Sequence, residues 1–295
     1  MWHRGAVFSS PAEVLAQLAG VGYLADLATA TTVYLAATLE RPVLVEGPAG
    51  VGKTELAKAV AAASGAELLR LQCYEGLDEA RALYEWNYKK QLLRIQAGAA
   101  SGEHEGWQQT HDEIFTEEFL LARPLLRAIR RDDATVLLID EADKTDVEVE
   151  ALLLEVLAEF QVTVPEMGTI AATRRPFVVV TSNATRELSE ALRRRCLYLH
   201  LDYPTPERER DIVLARVPGI APALAEEVAR AAAALRGLEL KKAPSIAESI
   251  DWARTVLALD AGRLDAATMR ATLGVVLKHV GDQRRAVTEL RLDAP

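Results

Sequence analysis

The pattern of apolar and polar positions divides the chain near Tyr203. Before it, short and nearly continuous apolar runs recur between helical stretches: Val43-Leu44-Val45, Leu68-Leu69-Arg70-Leu71, Val136-Leu137-Leu138-Ile139, Phe177-Val178-Val179-Val180 and Leu197-Tyr198-Leu199. Runs of this kind read as strands covered on both faces, and helical segments between them imply crossover connections. The pattern therefore predicts an α/β fold around a five-stranded, mainly parallel sheet. After the first strand, Leu56, Val60 and Ala63 share one helical face that Ser64 and Gly65 terminate. Thr145 and Glu148 have the spacing of a capping box ahead of Val149, Leu152, Leu153, Val156 and Phe160. An amphipathic stretch over residues 11–39 precedes the first strand and is expected to pack against the flank of the sheet.

From Tyr203-Pro204-Thr205-Pro206 onward only helical periodicity remains. Thr205 before Pro206 marks a helix start, Gly237 an end, Ser245 with Glu248 a capping box, Asp265 another cap and Gly281 another stop. A bundle of about four helices follows. The domain reading is thus an α/β domain over 1–202 and a small helical domain over 203–295.

Composition narrows the classes. With 295 residues and 50% hydrophobic content the chain can bury one large core, or a core and a satellite, without disulfides or metals. Its two cysteines, Cys73 and Cys196, form neither a disulfide framework nor a paired metal motif, and they suit a reducing cytoplasm. The N-terminal residues lack a signal-peptide core, and no apolar run reaches the roughly 18 residues of a membrane span. A soluble, cytoplasmic protein is the expectation. The net charge of −9, from 43 acidic and 34 basic residues, argues against a nucleic-acid partner.

The chemistry concentrates at strand ends. Gly47-Pro48-Ala49-Gly50-Val51-Gly52-Lys53-Thr54 satisfies G-x-x-x-x-G-K-T between a strand and a helix. Its glycines let backbone N–H groups turn inward as an anion nest, Lys53 suits the β and γ phosphates of a nucleotide, and Thr54 suits Mg²⁺. Val136 to Ile139 run into Asp140 and Glu141, a carboxylate for a magnesium-bound water and one to polarise an attacking water. Phe177 to Val180 lead to Thr181-Ser182-Asn183. If that strand lies between the first and third, Asn183 stands beside the γ phosphate; otherwise it is an ordinary turn amide. Arg193-Arg194-Arg195 precede the fifth strand, as a source of a catalytic arginine or as cations at a helix C-terminus.

In this order the motifs resemble those of MoxR-type AAA+ ATPases, and among them the CoxD branch linked to carbon monoxide dehydrogenase maturation. The likeness is carried by GYLADLATATTVYLA, EGPAGVGKTELAKA, LYEWNYKKQLL, IFTEEFLLARPLLRAI, LLIDEADK, FVVVTSNATRELSEALRRRC and KKAPSIAESIDWAR. It implies an AAA+ P-loop NTPase with sheet order 5-1-4-3-2, a helical lid, ATP bound between subunits of a homo-hexameric ring, and Asn183 as sensor 1. Arg195 is the leading arginine-finger candidate and Arg194 the second. It also implies a von Willebrand A-type partner protein and a protein client, with a metalloenzyme matured or activated by the remodelling. Where most members carry a sensor 2 arginine, this chain reads Lys241-Lys242-Ala243-Pro244-Ser245, so that cation is Lys241, Lys242 or absent.

Further expectations concern the segments between the motifs. An insertion over about 74–118 ends in an acidic, loop-like part, 98–118, whose His104, Trp107 and His111 lack a known metal-ligand spacing. Residues 162–175 resemble the hairpin before sensor 1, tipped by Met167-Gly168. Tyr74, Tyr84, Trp86 and Tyr88 read as core or subunit packing, since no basic residue interleaves Tyr84, Trp86 and Tyr88 before Lys89 and Lys90. Two other functions share the same core: a nucleic-acid motor or clamp-loader relative, and a nucleotide-dependent assembly switch with vestigial hydrolysis.

Overall fold

The computed structural model describes residues 8–101 and 107–292; the N-terminal residues 1–7 and His104 lie outside them. In chain order the elements are α1 (Pro11–Gly20), α2 (Leu27–Leu39), β1 (Val43–Glu46), α3 (Lys53–Ser64), β2 (Glu67–Gln72), α4 (Glu79–Ala82), β3 (Tyr84–Trp86), α5 (Tyr88–Ser101), α6 (Trp107–Ile114), β4 (Leu120–Ala122), α7 (Pro124–Arg130), β5 (Thr135–Asp140), α8 (Val147–Glu159), β6 (Gln161–Val164), β7 (Gly168–Ala171), β8 (Phe177–Ser182), α9 (Glu190–Arg195) and β9 (Leu197–His200). Five helices follow: α10 (Pro206–Arg216), α11 (Pro222–Arg236), α12 (Ile246–Ala258), α13 (Ala266–Val276) and α14 (Val280–Glu289). Two compact units emerge. One holds most of the chain up to Leu199; the other joins residues 200–295 with the short segments 18–24 and 47–55.

In the first unit the sheet has the order β2-β5-β8-β1-β9. Counted along the chain, this is the expected 5-1-4-3-2 read from the opposite edge. β2 with β5, β5 with β8, and β8 with β1 all pair in parallel. Every residue of β1, β5 and β8 is buried, as continuous apolar runs require, whereas edge strand β2 alternates. The core runs through Leu69, Leu71, Leu137, Ile139, Val178 and Val180 on the strands to Leu125, Leu126 and Ile129 of α7 and Leu153 and Val156 of α8.

Several local expectations are corrected. Residues 11–39 form two helices, because Gly22 at φ 78° breaks the first and the Asp26 carboxylate caps the second. Helix α8 starts one residue later than the Thr145 signal, with Asp146 at its N-cap; the Thr145 hydroxyl is instead donated to the Ala142 carbonyl at 2.8 Å. The described residues of the supposed loop 98–118 are largely helical. There α5 and α6 are tied by Gln91 donating to the Ile114 carbonyl at 2.8 Å and by Arg94 to Glu113 at 2.8 Å, while Asp112 is exposed. Trp86 of β3 closes this hairpin edge-on against Phe115, ring centroids 5.0 Å apart, while Tyr74 and Tyr88 are exposed. The 162–175 hairpin forms as expected, β6 against β7, and Met167 and Gly168 lie at its turn.

In the second unit the described residues form a bundle of five helices around Trp252, whose indole donates to Thr272 at 2.7 Å. Thr205, Ser245 and Asp265 cap α10, α12 and α13, Ser245 and Glu248 as a full capping box, and Gly237 closes α11. Gly281 does not stop a helix. It sits in the first turn of α14, and α13 has already ended where Leu277 turns extended.

Candidate functional site

The glycine loop leaves the end of β1 and enters α3 at Lys53, so the chain turns from a buried strand into a helix N-terminus. Gly47 has φ 154° and a Cβ there would fall 1.9 Å from the Leu201 carbonyl oxygen; Gly50, at φ 77°, would set its Cβ 2.2 Å from that of Ser245. No side chain fits at either position. Lys53 is buried, and its ammonium donates to the carbonyls of Gly47 at 2.7 Å and Pro48 at 2.8 Å. It therefore lies folded over the mouth of its own loop, with Thr54 half-buried behind it. Ala49 and Gly50 carbonyls are taken by Tyr203 and by the backbone of Ile246, each at 3.1 Å. At the position of a sensor 2 residue, the backbone N–H groups of Lys241 and Lys242 donate to Asp282 at 3.0 and 3.3 Å, and the Lys242 ammonium lies 3.4 Å from Glu248 in the cap of α12.

In the first unit the acids end β5. Asp140 is 2% exposed; one oxygen accepts the Thr181 hydroxyl at 2.6 Å and the other accepts Arg70 through two guanidinium nitrogens, at 3.0 and 2.5 Å. Glu141 sits in the left-handed region at φ 58°, and its N–H donates to the same Thr181 hydroxyl at 2.9 Å. Its carboxylate accepts Gln72 at 2.9 Å and Lys144 at 2.7 Å on one oxygen, and Asn183 at 3.4 Å on the other. The bond from Glu141 holds the Lys144 ammonium above its usual pKa. Burial would raise the pKa of Asp143, but the Thr185 hydroxyl and backbone N–H outweigh it and hold the carboxyl low. Burial, with the charges of Asp140, Asp143 and Glu141, pushes the Cys73 thiol up to about 12, so it is no nucleophile at neutral pH.

The three arginines of α9 part company. Arg193 pairs with buried Glu46 at 3.1 Å and lies 5.5 Å from the Tyr198 ring centre. Arg194 is 82% exposed and meets Glu190 of its own helix at 3.4 Å. Arg195 lines a shallow cleft with Leu154, Glu155, Ala158, Glu159 and Gln161. Arg41 clamps the helix end, donating to the carbonyls of Arg194 at 2.7 Å, Arg195 at 3.1 Å and Cys196 at 3.3 Å.

Asp140, Glu141 and Asn183 are thus brought together, and the loop residues form one turn. Arg194 and Arg195 meet none of the site residues named for their own unit. Sequence reading missed Thr181, Gln72, Arg70, Lys144 and Arg41. The alternation of β2 offered a signal for two of them, since Arg70 and Gln72 stand two apart, on one face, beside Leu138 and Asp140. His111 lies 3.4 Å from Asp112 and stacks near Phe115, ring centroids 4.7 Å apart.

Residues 42–196 match the family model of the AAA domain, dynein-related subfamily. Chaperone protein ClpB 2 of Parasynechococcus marenigrum is 36% identical over 149 residues, 48% of this chain and 14% of that protein. Chaperone protein ClpB of Tropheryma whipplei is 33% identical over 183 residues, 60% and 22% respectively. The ATP-binding subunit ClpL of an ATP-dependent Clp protease of Lactococcus lactis subsp. lactis is 28% identical over 141 residues, 48% and 16%. The matched part thus spans between 14% and 22% of the length of these relatives. Among solved structures, the Thermotoga maritima RuvB Holliday junction branch migration motor is 20% identical, covering 89% of this chain and 67% of that one at a TM-score of 0.43. A single-substitution mutant of the same protein gives 17%, 96%, 71% and 0.46.

Proposed function

The chain belongs to the AAA domain family, dynein-related subfamily, and from that premise we propose that it hydrolyses ATP with Mg²⁺ to drive the remodelling of a protein client. The observation that carries this reading is the level ending of three parallel strands. Glu46 is in register with Ser182, Val45 with Thr181, and Ile139 with Val180. The chain therefore leaves β1 for the glycine loop, β8 for Asn183 and β5 for Glu141 at the carboxyl ends of neighbouring strands, where open α/β sheets bind ligands.

In this mechanism the loop N–H groups from Gly47 to Thr54 and the Lys53 ammonium bind the phosphates, once Lys53 has left the Gly47 and Pro48 carbonyls. The Thr54 hydroxyl and the Asp140 carboxylate would hold Mg²⁺, which when bound would draw charge from the phosphate oxygens. A hydroxyl beside Lys53 and a carboxylate at the end of β5 are the hard oxygen donors such an ion takes. Glu141 accepts a proton from the attacking water. The water oxygen bonds to the γ phosphorus as the bond to the β–γ bridging oxygen breaks, giving ADP and phosphate. Asn183, already in contact with Glu141, orients that water. Arg195, with Arg194 second, supplies positive charge to the neighbouring subunit's phosphates in a homo-hexameric ring. Residues 1–202 serve as the nucleotide-binding domain and 203–295 as the lid.

The finer assignment is a MoxR-type protein of the CoxD-like branch, acting in the cytoplasm with a von Willebrand A-type partner on a metalloenzyme under maturation. It is supported by the phrases between the motifs, LYEWNYKKQLL and IFTEEFLLARPLLRAI above all. Lys53→Ala is expected to abolish nucleotide binding in isothermal titration, and Glu141→Gln to keep binding while phosphate release stops. Undiminished turnover in either variant sinks the assignment. In the presence of ATP, Glu141→Gln is also the form that retains its client.

A further inference from the structure

Two carbonyls of the glycine loop are engaged by groups from the helical part of its own unit. The Tyr203 hydroxyl donates to Ala49 at 3.1 Å, and the N–H of Ile246 donates to Gly50 at 3.1 Å. Ile246 opens α12, so its N–H is one of those a helix leaves without an internal partner. In a trans peptide the C=O and N–H of one plane point in opposite directions. Fixing the Ala49 carbonyl toward Tyr203 therefore turns the Gly50 N–H the other way, and fixing the Gly50 carbonyl toward Ile246 does the same for the N–H of Val51. Both of these N–H groups are thus turned away from the two donors.

A single buried guanidinium sets both donors. Arg236 is 9% exposed at its side chain, bonds both oxygens of fully buried Glu209, at 2.5 and 2.7 Å, and also donates to the Pro244 carbonyl at 2.7 Å and the Ser249 hydroxyl at 3.2 Å. Its other face lies 4.5 Å from the centre of the Tyr203 ring. Pro244 leads directly to Ser245 and Ile246, so Arg236 holds the ring that carries the hydroxyl and the segment that carries the N–H. The fit is close, since a Cβ on Gly50 would fall 2.2 Å from that of Ser245.

We infer that Tyr203 is a positioning residue for phosphate: its hydroxyl, with the Ile246 N–H, holds the loop's peptide planes so that the N–H groups of Gly50 and Val51 face an anion. This rests on the nucleotide reading of the loop and adds a residue that the loop motif does not contain. Tyr203→Phe removes the hydroxyl and leaves the ring on Arg236. With the melting temperature unchanged, its affinity for ATP and for inorganic tripolyphosphate is expected to fall by the same factor, roughly 2- to 12-fold, the range of one net hydrogen bond. Adenosine binding should not change. Equal affinities for both phosphate ligands in Tyr203→Phe and wild type overturn the inference. So does a loss seen with ATP alone, which would put Tyr203 against the base, or a wild type that takes ATP but not tripolyphosphate. Lys53→Ala separates the levels: if it binds tripolyphosphate as wild type does, the nucleotide reading itself fails, whereas a silent Tyr203→Phe beside a dead Lys53→Ala removes only the role of the hydroxyl.

Discussion

At the scale of single residues, the hydroxyl of Thr181 does two things at once. It donates to Asp140 at 2.6 Å and accepts the N–H of Glu141 at 2.9 Å, in a position only 1% exposed. Glu141 needs that anchor, because its φ of 58° is one that a residue with a side chain seldom adopts without a compensating contact. Thr181→Val keeps the shape and removes the oxygen, leaving a buried carboxylate oxygen and a backbone N–H each short of a partner. A destabilisation of about 2–3 kcal/mol is expected, seen as a lower denaturant midpoint at constant m-value. Turnover is expected to fall further than the lost stability explains, since both acids lose their aim. A variant as stable and active as wild type would show that the hydroxyl is idle. Arg70 and Gln72 support the same two carboxylates from β2, and the alternation of that strand puts them on one face without saying what they meet. Their partners stand about 70 positions away along the chain, across a strand pairing that the run of apolar residues announces but does not register.

At the scale of elements, strands β1, β5 and β8 were readable because all of their positions are buried, so residues 43–45, 136–139 and 177–180 run apolar without a break. Caps were readable where one side chain closes a helix, at Thr205, Ser245 and Asp265. What escaped depended on contacts distant in sequence. β3 and β4 have three residues each and exist through mutual pairing, and α5 is joined to α6 by polar bonds, Gln91 to the Ile114 carbonyl and Arg94 to Glu113, which no apolar periodicity announces. Helix α9 makes the same point within six residues. Three identical arginines look interchangeable in sequence; in the fold, Arg193 neutralises Glu46, which is 6% exposed, and Arg194 points to solvent. Arg193→Ala is expected to cost about 1–3 kcal/mol, because it strands a buried carboxylate, and Arg194→Ala to stay within about 0.5 kcal/mol. Equal melting shifts in the two variants would contradict this division. Arg41→Ala should unfasten the last turn of α9 from its carbonyl side and lower turnover with nucleotide affinity unchanged.

At the scale of the whole molecule, the question is whether one copy can be a complete enzyme. In its own unit Arg195 lies along a cleft formed by α8 and the start of β6, and it touches neither Asp140 nor Glu141. It is held close to a rigid element, one residue before Cys196 and two before β9, by the bond from Arg41 to its carbonyl. Its side chain lines that cleft with Glu155 and Glu159, apart from Asp140 and Glu141, and an arginine supplied to a neighbour's phosphates can be worth about 10³–10⁵ in rate. If Arg195 is supplied in this way, catalysis depends on assembly. Arg195→Ala is expected to fold and to bind ATP with wild-type affinity but to lose hydrolysis. Lys53→Ala is expected to be equally inactive for a different reason, an empty pocket beside a sound finger. Mixing the two should restore part of the activity, because some interfaces then join an intact pocket to an intact arginine. Wild-type specific activity should rise with protein concentration through the range in which sedimentation velocity shows subunits associating. If activity per chain is constant across that range, and Arg194→Ala and Arg195→Ala both turn over ATP as wild type does, the arginine is not supplied in trans and the ring loses its catalytic reason.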